Sequence, residues 1–283
     1  MPRFRPSHLL LSVFLCMAAP AVTAMEAAPS AATPLVIGES FTIASTVLGE
    51  TRHINVYAAR AWDTPPDAPL PVLYMPDGGI AEDFLHIAGL LQVSVGNGTM
   101  RPFRLVGIAN TQRRRDLTGP TTDAKDRAIA PLVGGSAAYR SFIRDELMPQ
   151  VRRRYRGTGE TAIVGESLAG LFVVETLLLE PQLFDHYLAF DPSLWWNRGF
   201  LPSQAAGLLG KQGGGKRSLY IVSSSEAGIA SEVQRLAAVL AQSAPQGLDW
   251  HVESMPQESH GTIYHPAALK AFRAVFAPKM DKL

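Results

Sequence analysis

One segment near the middle of the chain restricts what it can fold into more than any other. A short apolar run, Thr161–Val164, leads into Gly165-Glu166-Ser167-Leu168-Ala169-Gly170, and apolar residues at helical spacing follow. A serine on a sharp turn between a strand and a helix has a strained backbone, so only small residues fit two positions to either side. Gly165 and Ala169 meet that requirement, and Gly170 allows the helix to approach the sheet closely. The segment predicts either a nucleophilic Ser167 or, alternatively, a glycine turn in which Ser167 only caps the helix.

The order of the remaining elements favours the nucleophile. After an antiparallel hairpin within residues 41–57, apolar runs of strand type alternate with helical patterns to the end of the chain. Such alternation predicts an α/β fold with a mostly parallel central sheet and helices on both faces. The loops after the strands then meet at the carboxyl edge of the sheet, where folds of this kind bind ligands. These loops carry Asp77, Ser167, Asp191, Glu226 and His260.

The first residues have the pattern of a secretory signal peptide. Arg3 and Arg5 precede a short apolar core at residues 9–17, and Val22-Thr23-Ala24 fits a cleavage site. We therefore expect an exported protein, either periplasmic or secreted. Cys16, the single cysteine, lies within this segment, so we expect the exported protein to have no disulfide and no thiol chemistry.

Composition and motifs narrow the class of protein further. We expect a signal peptide over residues 1–24, a linker over residues 25–35 and one domain over residues 36–283. Cleavage would remove two arginines and no acid, so the formal charge of +1 becomes −1, which is not the charge of a nucleic-acid-binding protein. No later apolar run is long enough for stable insertion into a membrane. Metal-binding motifs, a dinucleotide fingerprint and a P-loop are missing from the sequence, so we expect no metal and no cofactor.

A serine hydroxyl needs an adjacent base to act as a nucleophile, and two histidines lie near the last strand-to-helix loop. His260, followed by Gly261, occupies the loop itself, whereas His265 is expected to open the final helix. In α/β-hydrolases the order along the chain is serine, acid, histidine, with the histidine after the last strand. His260 is therefore the predicted base.

The acid that orients the histidine has two candidates. Glu226 follows the strand before the last one, and we predict that it accepts a hydrogen bond from the far imidazole nitrogen. Asp191, at the end of the preceding strand, is the alternative. For the oxyanion, we predict the backbone N–H groups of Leu168, directly after the nucleophile, and of Gly79, in the turn after an earlier strand.

These residues, taken together, resemble a known family. From about Phe41 to Phe276 the chain resembles the Putative esterase family of α/β-hydrolases, which includes the enterobactin and salmochelin esterases. The resemblance implies an α/β-hydrolase fold and a catalytic serine, and it is much less specific about the substrate. The segments that carry it include Leu73-Tyr74-Met75-Pro76-Asp77-Gly78, Gly165-Glu166-Ser167, Asp191-Pro192-Ser193-Leu194-Trp195-Trp196 and Glu258-Ser259-His260-Gly261.

The chain departs from the family's pattern at three positions of the site. Relatives more often carry His where this chain has Glu166 and Gly where it has Ala169. Asp191 stands where a Ser is expected, which leaves open that Asp191 takes the role of the acid.

The resemblance also concerns three residues around the site. It implies that Arg115 braces the edge of the site more than it contacts substrate, and that Trp195 and Trp196 either line an acyl or aromatic pocket or cap the core.

The leading hypothesis is an exported serine esterase that cleaves a small-molecule carboxylic ester, such as a siderophore, through an acyl-enzyme. One alternative is an acyltransferase, in which an alcohol replaces water. Another is a degenerate hydrolase that binds a ligand without cleaving it, since the carboxylate of Glu166 beside the nucleophile could disfavour the oxyanion.

Overall fold

A computed structural model describes residues 32–278, so the predicted signal peptide and most of the predicted linker lie outside the described residues. Eight strands form one sheet in the order β1-β2-β4-β3-β5-β6-β7-β8. Strands β1, β2 and β4 pair antiparallel, and all pairs from β4 through β8 are parallel. The strands are β1 Glu39–Ser45, β2 Glu50–Ala59, β3 Leu70–Pro76, β4 Phe103–Ile108, β5 Gly157–Glu166, β6 His186–Phe190, β7 Arg217–Ser223 and β8 Leu248–Ser254.

Helices cover both faces of this sheet. One apolar cluster packs α6 and its neighbours against one face, and a second cluster packs α1 and α9 against the other. The predicted α/β-hydrolase architecture, including its N-terminal hairpin, is confirmed. The helices are α1 Phe84–Gly96, α2 Arg113–Leu117, α3 Ala124–Ile129, α4 Ser136–Phe142, α5 Met148–Arg154, α6 Leu168–Leu179, α7 Trp196–Leu209, α8 Ala227–Ser243 and α9 Tyr264–Val275.

The two central strands β3 and β4 lie in the part of the sheet that helices cover on both faces, where strands are buried along their whole length. Every residue of β3 and of β4 is buried. None of the helices described over residues 32–278 combines the length and apolarity that a membrane-crossing helix needs.

The helical run at residues 137–155, which the sequence predicts as one long helix, has a π-helical interruption. Residues Ile143–Leu147 form a π-helical segment between α4 and α5. Pro149 follows at the start of α5, and a proline has no N–H to donate to the preceding turn. The wider π turn brings Glu146 to the first hairpin, where Ser45 and Thr46 donate hydrogen bonds to its carboxylate at 2.5 Å.

Candidate active site

Ser167 stands on the strained turn that the sequence predicts. Its backbone has φ 59° and ψ −119°, a left-handed conformation that side-chain-bearing residues rarely adopt. A Cβ atom on Gly165 would lie 2.6 Å from the backbone of Ala169, so no larger residue fits there. The Ser167 side chain makes no capping hydrogen bond to α6, so the helix-cap interpretation is wrong. The hydroxyl instead points toward other side chains at the carboxyl edge of the sheet.

The loop after β8 brings His260 to this serine. The Ser167 hydroxyl donates to His260 Nε2 over 3.1 Å, and His260 Nδ1–H donates to Asp191 Oδ2 over 2.6 Å. With Asp191 accepting at Nδ1, the neutral ring offers Nε2 as the acceptor that a serine base needs. The imidazole is part-exposed at 38% of its side-chain surface, whereas Asp191 is fully buried. The hydrogen bond to Asp191, and next the charge of Glu166, raise the pKa of His260 above its ordinary value, although burial acts in the opposite direction.

Asp191 is held in place by the loop after β7. It lies one residue beyond β6 with φ 44°, and this left-handed turn directs its carboxylate across to the neighbouring strand end. There the Ser224 backbone N–H donates to Oδ1 over 2.6 Å and the Ser224 hydroxyl to Oδ2 over 2.8 Å. Fixed donors of this kind stabilise the ionised form of a buried carboxylate.

The predicted acid, Glu226, is not the residue that contacts His260. Its side chain is exposed at the N-terminus of α8, and its only influence on the imidazole among the described residues is through space. The physical reason is that the chain turns differently after β6 than after β7. The turn at Asp191 points its carboxylate into the site, while the loop after β7 supplies the hydroxyl of Ser224 rather than an acid. The alternative named from sequence, Asp191, is the carboxylate in hydrogen-bond contact.

A second carboxylate approaches the other nitrogen of the imidazole. Glu166 Oε1 lies 3.4 Å from His260 Nε2, and the Glu166 side chain is 17% exposed. Burial raises the pKa of Glu166 to about 7, while His260 and Arg113 act to lower it. Because buried carboxylates without donors favour the protonated form, Glu166 differs from Asp191 in its chemistry as well as its place.

The two backbone N–H groups predicted to bind the oxyanion have different outcomes in the structure. Leu168 begins α6 directly after Ser167, as predicted, and its donor role stays a prediction. Gly79 requires a correction, because its N–H donates to Glu82 Oε2 over 2.7 Å and is therefore already engaged. The sequence offered no warning of this contact, which a side chain three residues further along makes.

The arginines on this edge of the sheet are committed to carboxylates. Arg115 donates to Glu50 and to Asp116, each over 2.7 Å, which fits a bracing role rather than a substrate contact. Arg113, which sequence reasoning did not select, makes a two-pronged contact with Asp77 at 2.7 and 2.8 Å. Its position in the loop after β4, at the carboxyl edge, is the signal that could have identified it.

The two tryptophans do not lie on the same cavity as His260. Trp196 is buried, and its ring N–H donates to the Gly119 carbonyl over 2.9 Å. It lines a cavity of about 340 Å³ with Leu171, Phe200 and Leu201, along α6 beyond its first turn. Trp195 packs against the core cluster. Both contacts fit the core-capping interpretation, and a role in a substrate pocket stays a prediction.

The cavity that contains His260 is lined by titratable side chains. It measures about 340 Å³, and His86 and His265 meet within it at 3.1 Å between Nε2 and Nδ1. Across residues 32–278 no three His, Cys, Asp or Glu side chains are grouped to hold a metal ion. The cavity is lined by Asp83, His86, Glu166, His260, Thr262 and His265, among others.

Ser193 is a further residue beside Ser167 that sequence reasoning did not select. Its hydroxyl lies 3.4 Å from the Ser167 hydroxyl, and its backbone N–H donates to the Ser167 carbonyl over 3.0 Å. The position of Ser193 two residues after Asp191 at a strand end could have indicated it.

Comparisons with known proteins identify similar esterases. The chain is 31% identical over 172 residues to the ferri-bacillibactin esterase BesA of Bacillus subtilis, covering 54% of this chain and 57% of that protein. It is 34% identical over 148 residues to the siderophore triacetylfusarinine C esterase of Aspergillus fumigatus, covering 46% of each. The chain thus spans about half the length of the curated relatives it matches.

Solved structures match over more of the chain. The IroE-like serine hydrolase from Shewanella oneidensis superposes with a TM-score of 0.76 at 26% identity, covering 84% of this chain and 80% of the other. The BES protein from Bacillus cereus shares the fold, with a TM-score of 0.74 at 20% identity, 89% of this chain and 100% of that one. The family model described as "Putative esterase" matches residues 45–243, which is more than half of the chain. The chain therefore belongs to this esterase family.

Proposed function

We propose that this chain is an exported serine esterase that hydrolyses a siderophore ester through an acyl-enzyme. The observation that carries the proposal is the continuous hydrogen-bond chain from the Ser167 hydroxyl through His260 to Asp191, with distances of 3.1 and 2.6 Å. A buried carboxylate, an imidazole and a hydroxyl on a strained turn form the arrangement that activates serine in unrelated hydrolases.

The steps follow from the positions of these atoms. His260 Nε2 accepts the Ser167 proton as Oγ attacks the ester carbonyl, and Asp191 stabilises the imidazolium that forms. The N–H of Leu168, at the start of α6, donates to the developing oxyanion, and the dipole of the helix adds to this stabilisation. The imidazolium then protonates the leaving alcohol. Water, activated by the same nitrogen, releases the acyl group from Ser167.

The class of ester is supported by the similar proteins. A bacterial relative is named as a ferri-bacillibactin esterase, and a fungal relative is named as a siderophore triacetylfusarinine C esterase. Because the matched region covers about half of each relative, we propose the class of substrate and no particular siderophore.

Labelling with a fluorophosphonate probe tests the activated serine. We expect the wild-type protein to be labelled, and Ser167→Ala and His260→Ala to lose the labelling while keeping their circular dichroism spectra. Absence of labelling in a folded wild-type protein would contradict the proposal and favour a protein that only binds its ligand.

Product analysis then tests the ester class and the type of transfer. We expect iron-loaded or iron-free siderophore esters to be cleaved to acid and alcohol, as followed by liquid chromatography and mass spectrometry. A new ester formed with an added alcohol, in preference to the free acid, would instead indicate an acyltransferase.

Export is tested in cells. N-terminal sequencing of the protein recovered from a periplasmic or medium fraction is expected to begin at Met25, after Ala24. A protein that keeps Met1 and stays in the cytoplasmic fraction would contradict this part of the proposal.

A further inference from the structure

Glu166 and Ser167 face the same nitrogen of the imidazole. Ser167 Oγ lies 3.1 Å from His260 Nε2, and Glu166 Oε1 lies 3.4 Å from it. Glu166 is the last residue of β5 and pairs in register with Phe190 of β6, so the sheet fixes its backbone. The sheet therefore fixes the backbone position from which the Glu166 carboxylate approaches His260.

The titratable groups around Glu166 come from six places in the fold. Asp83 lies before α1, His86 on α1, Arg113 on α2, Asp191 after β6, His260 after β8, and Tyr264 with His265 on α9. After His260, Arg113 is the cation that acts most strongly on this carboxylate, and its donors go to Asp77. Among the described residues no hydrogen bond to the Glu166 carboxylate is formed, and His260 is its closest ionic partner.

The Glu166 carboxylate and the His260 imidazole are close enough to share one proton. If Glu166 is ionised, its charge favours the imidazolium, which carries a proton on Nε2. If Glu166 is protonated, its O–H can donate to Nε2 in place of the serine hydroxyl. Either form competes with Ser167 for Nε2, and the neutral ring that accepts the Ser167 hydroxyl over 3.1 Å is available only when this shared proton has left.

We propose that Glu166 is a positioning residue that shares His260 Nε2 with Ser167 and so sets the pH at which the imidazole becomes a base for ester hydrolysis. The inference rests on the proposed esterase function.

The pH dependence of kcat/KM tests this role. The assay uses a short-chain alkyl ester followed by pH-stat titration, so that neither substrate nor leaving group titrates in the range. We expect Glu166→Gln to move the acid limb to lower pH by about one unit, the size of effect that a neighbouring charge has. Glu226→Gln removes a carboxylate that acts on His260 only through space, and we expect it to move the limb by less than about 0.3 units because exposed charges are screened. A limb that Glu166→Gln leaves in place would overturn the inference.

A second measurement does not depend on turnover. The His260 ring, labelled with ¹³C and assigned with His260→Asn, is titrated by NMR in Ser167→Ala and in Ser167→Ala/Glu166→Gln. We expect the midpoint to fall by about one unit in the double variant. If the double variant does not fold, the ¹³C shift of the Glu166 carboxyl in Ser167→Ala replaces it. We then expect two coupled steps shared with His260, and a single independent step would overturn the inference.

The two proposals can fail separately. A wild-type protein that is neither labelled nor active, but whose His260 titration depends on Glu166, would contradict the esterase function and leave the shared proton standing. An active esterase whose acid limb and imidazole titration ignore Glu166 would contradict only the role of Glu166.

Discussion

Two carboxylates flank the imidazole of His260, one on each nitrogen, and they have opposite surroundings. Asp191 is fully buried and accepts three hydrogen bonds, from His260 and from the backbone and hydroxyl of Ser224. Glu166 is nearly as buried at 17% exposure, yet it accepts none among the described residues. Burial is similar on both sides, so the donors and not the depth decide the chemistry of each carboxylate.

The difference arises from the neighbouring strand ends. Asp191 follows β6, whose partner β7 ends beside it and supplies Ser224. Glu166 ends β5 and faces Asp83 before α1, an acid whose pKa is itself raised by burial and by Asp77. A carboxylate among donors acts as a fixed anchor for the imidazole, whereas a carboxylate among other acids binds a proton near neutral pH.

Substitution of the anchor, Asp191, should have the larger effect on catalysis. We expect Asp191→Asn to lower kcat/KM by on the order of 10³- to 10⁴-fold, because an amide at Nδ1 favours the wrong imidazole tautomer. Steady-state kinetics with the preferred ester measures the loss. Glu226→Gln is the matched control and should stay within about twofold of wild type, since exposed charges act weakly. The reverse ranking of the two variants would restore Glu226 as the acid.

The sequence predicts the fold, and it selects the serine and the histidine that the structure brings into hydrogen-bond contact, but it could not decide between Asp191 and Glu226. The turn around Ser167 is dictated by residues within three positions of it, and His260 by its place after the last strand. The choice of Asp191 depends on its φ of 44° and on the alignment of Phe190 with Val222, which brings Ser224 alongside. The register depends on how two strands pair, and the sequence of either strand alone does not give it.

The second carboxylate, Glu166, should make the free energy of unfolding depend on pH. The pKa of Glu166 is raised from 4.5 to about 7, so the folded chain holds this proton more tightly than the unfolded chain. Its destabilising effect is absent below pH 4.5, grows as the pH rises to about 7 and is constant above it. We therefore expect Glu166→Gln to raise the free energy of unfolding by on the order of 1–3 kcal/mol at pH 8 relative to pH 4.5.

Urea unfolding at the two pH values measures this difference. Glu226→Gln removes an exposed carboxylate and should show no comparable dependence on pH. A constant effect of Glu166→Gln at both pH values would mean that the side chain acts by packing and that its charge is already compensated.

Of the two Ser224 donors that hold Asp191, the hydroxyl can be removed while the backbone N–H is kept. Ser224→Ala deletes the hydroxyl that donates over 2.8 Å but keeps the backbone N–H, so we expect about 1 kcal/mol of lost stability and a roughly tenfold fall in kcat/KM. Ser225→Ala is the control, because that hydroxyl donates to the Glu258 carbonyl and not to the site. Equal effects of the two variants would indicate that the loop after β7 matters as a whole rather than through Asp191.

The smallest effect is expected from the cation that faces Glu166. Arg113 lowers the pKa of Glu166 through space while its donors bind Asp77. Arg113→Gln removes this influence, so the shared proton should be held more tightly and the acid limb of kcat/KM should rise by a few tenths of a pH unit. Arg113→Lys keeps the charge and should restore the wild-type limb. Arg115→Gln should leave the limb in place, because that guanidinium braces Glu50 and Asp116 and does not line the cavity of Glu166 and His260. A limb that moved equally in Arg113→Gln and Arg115→Gln would show that His260 responds to the overall charge of this edge and not to Glu166 in particular.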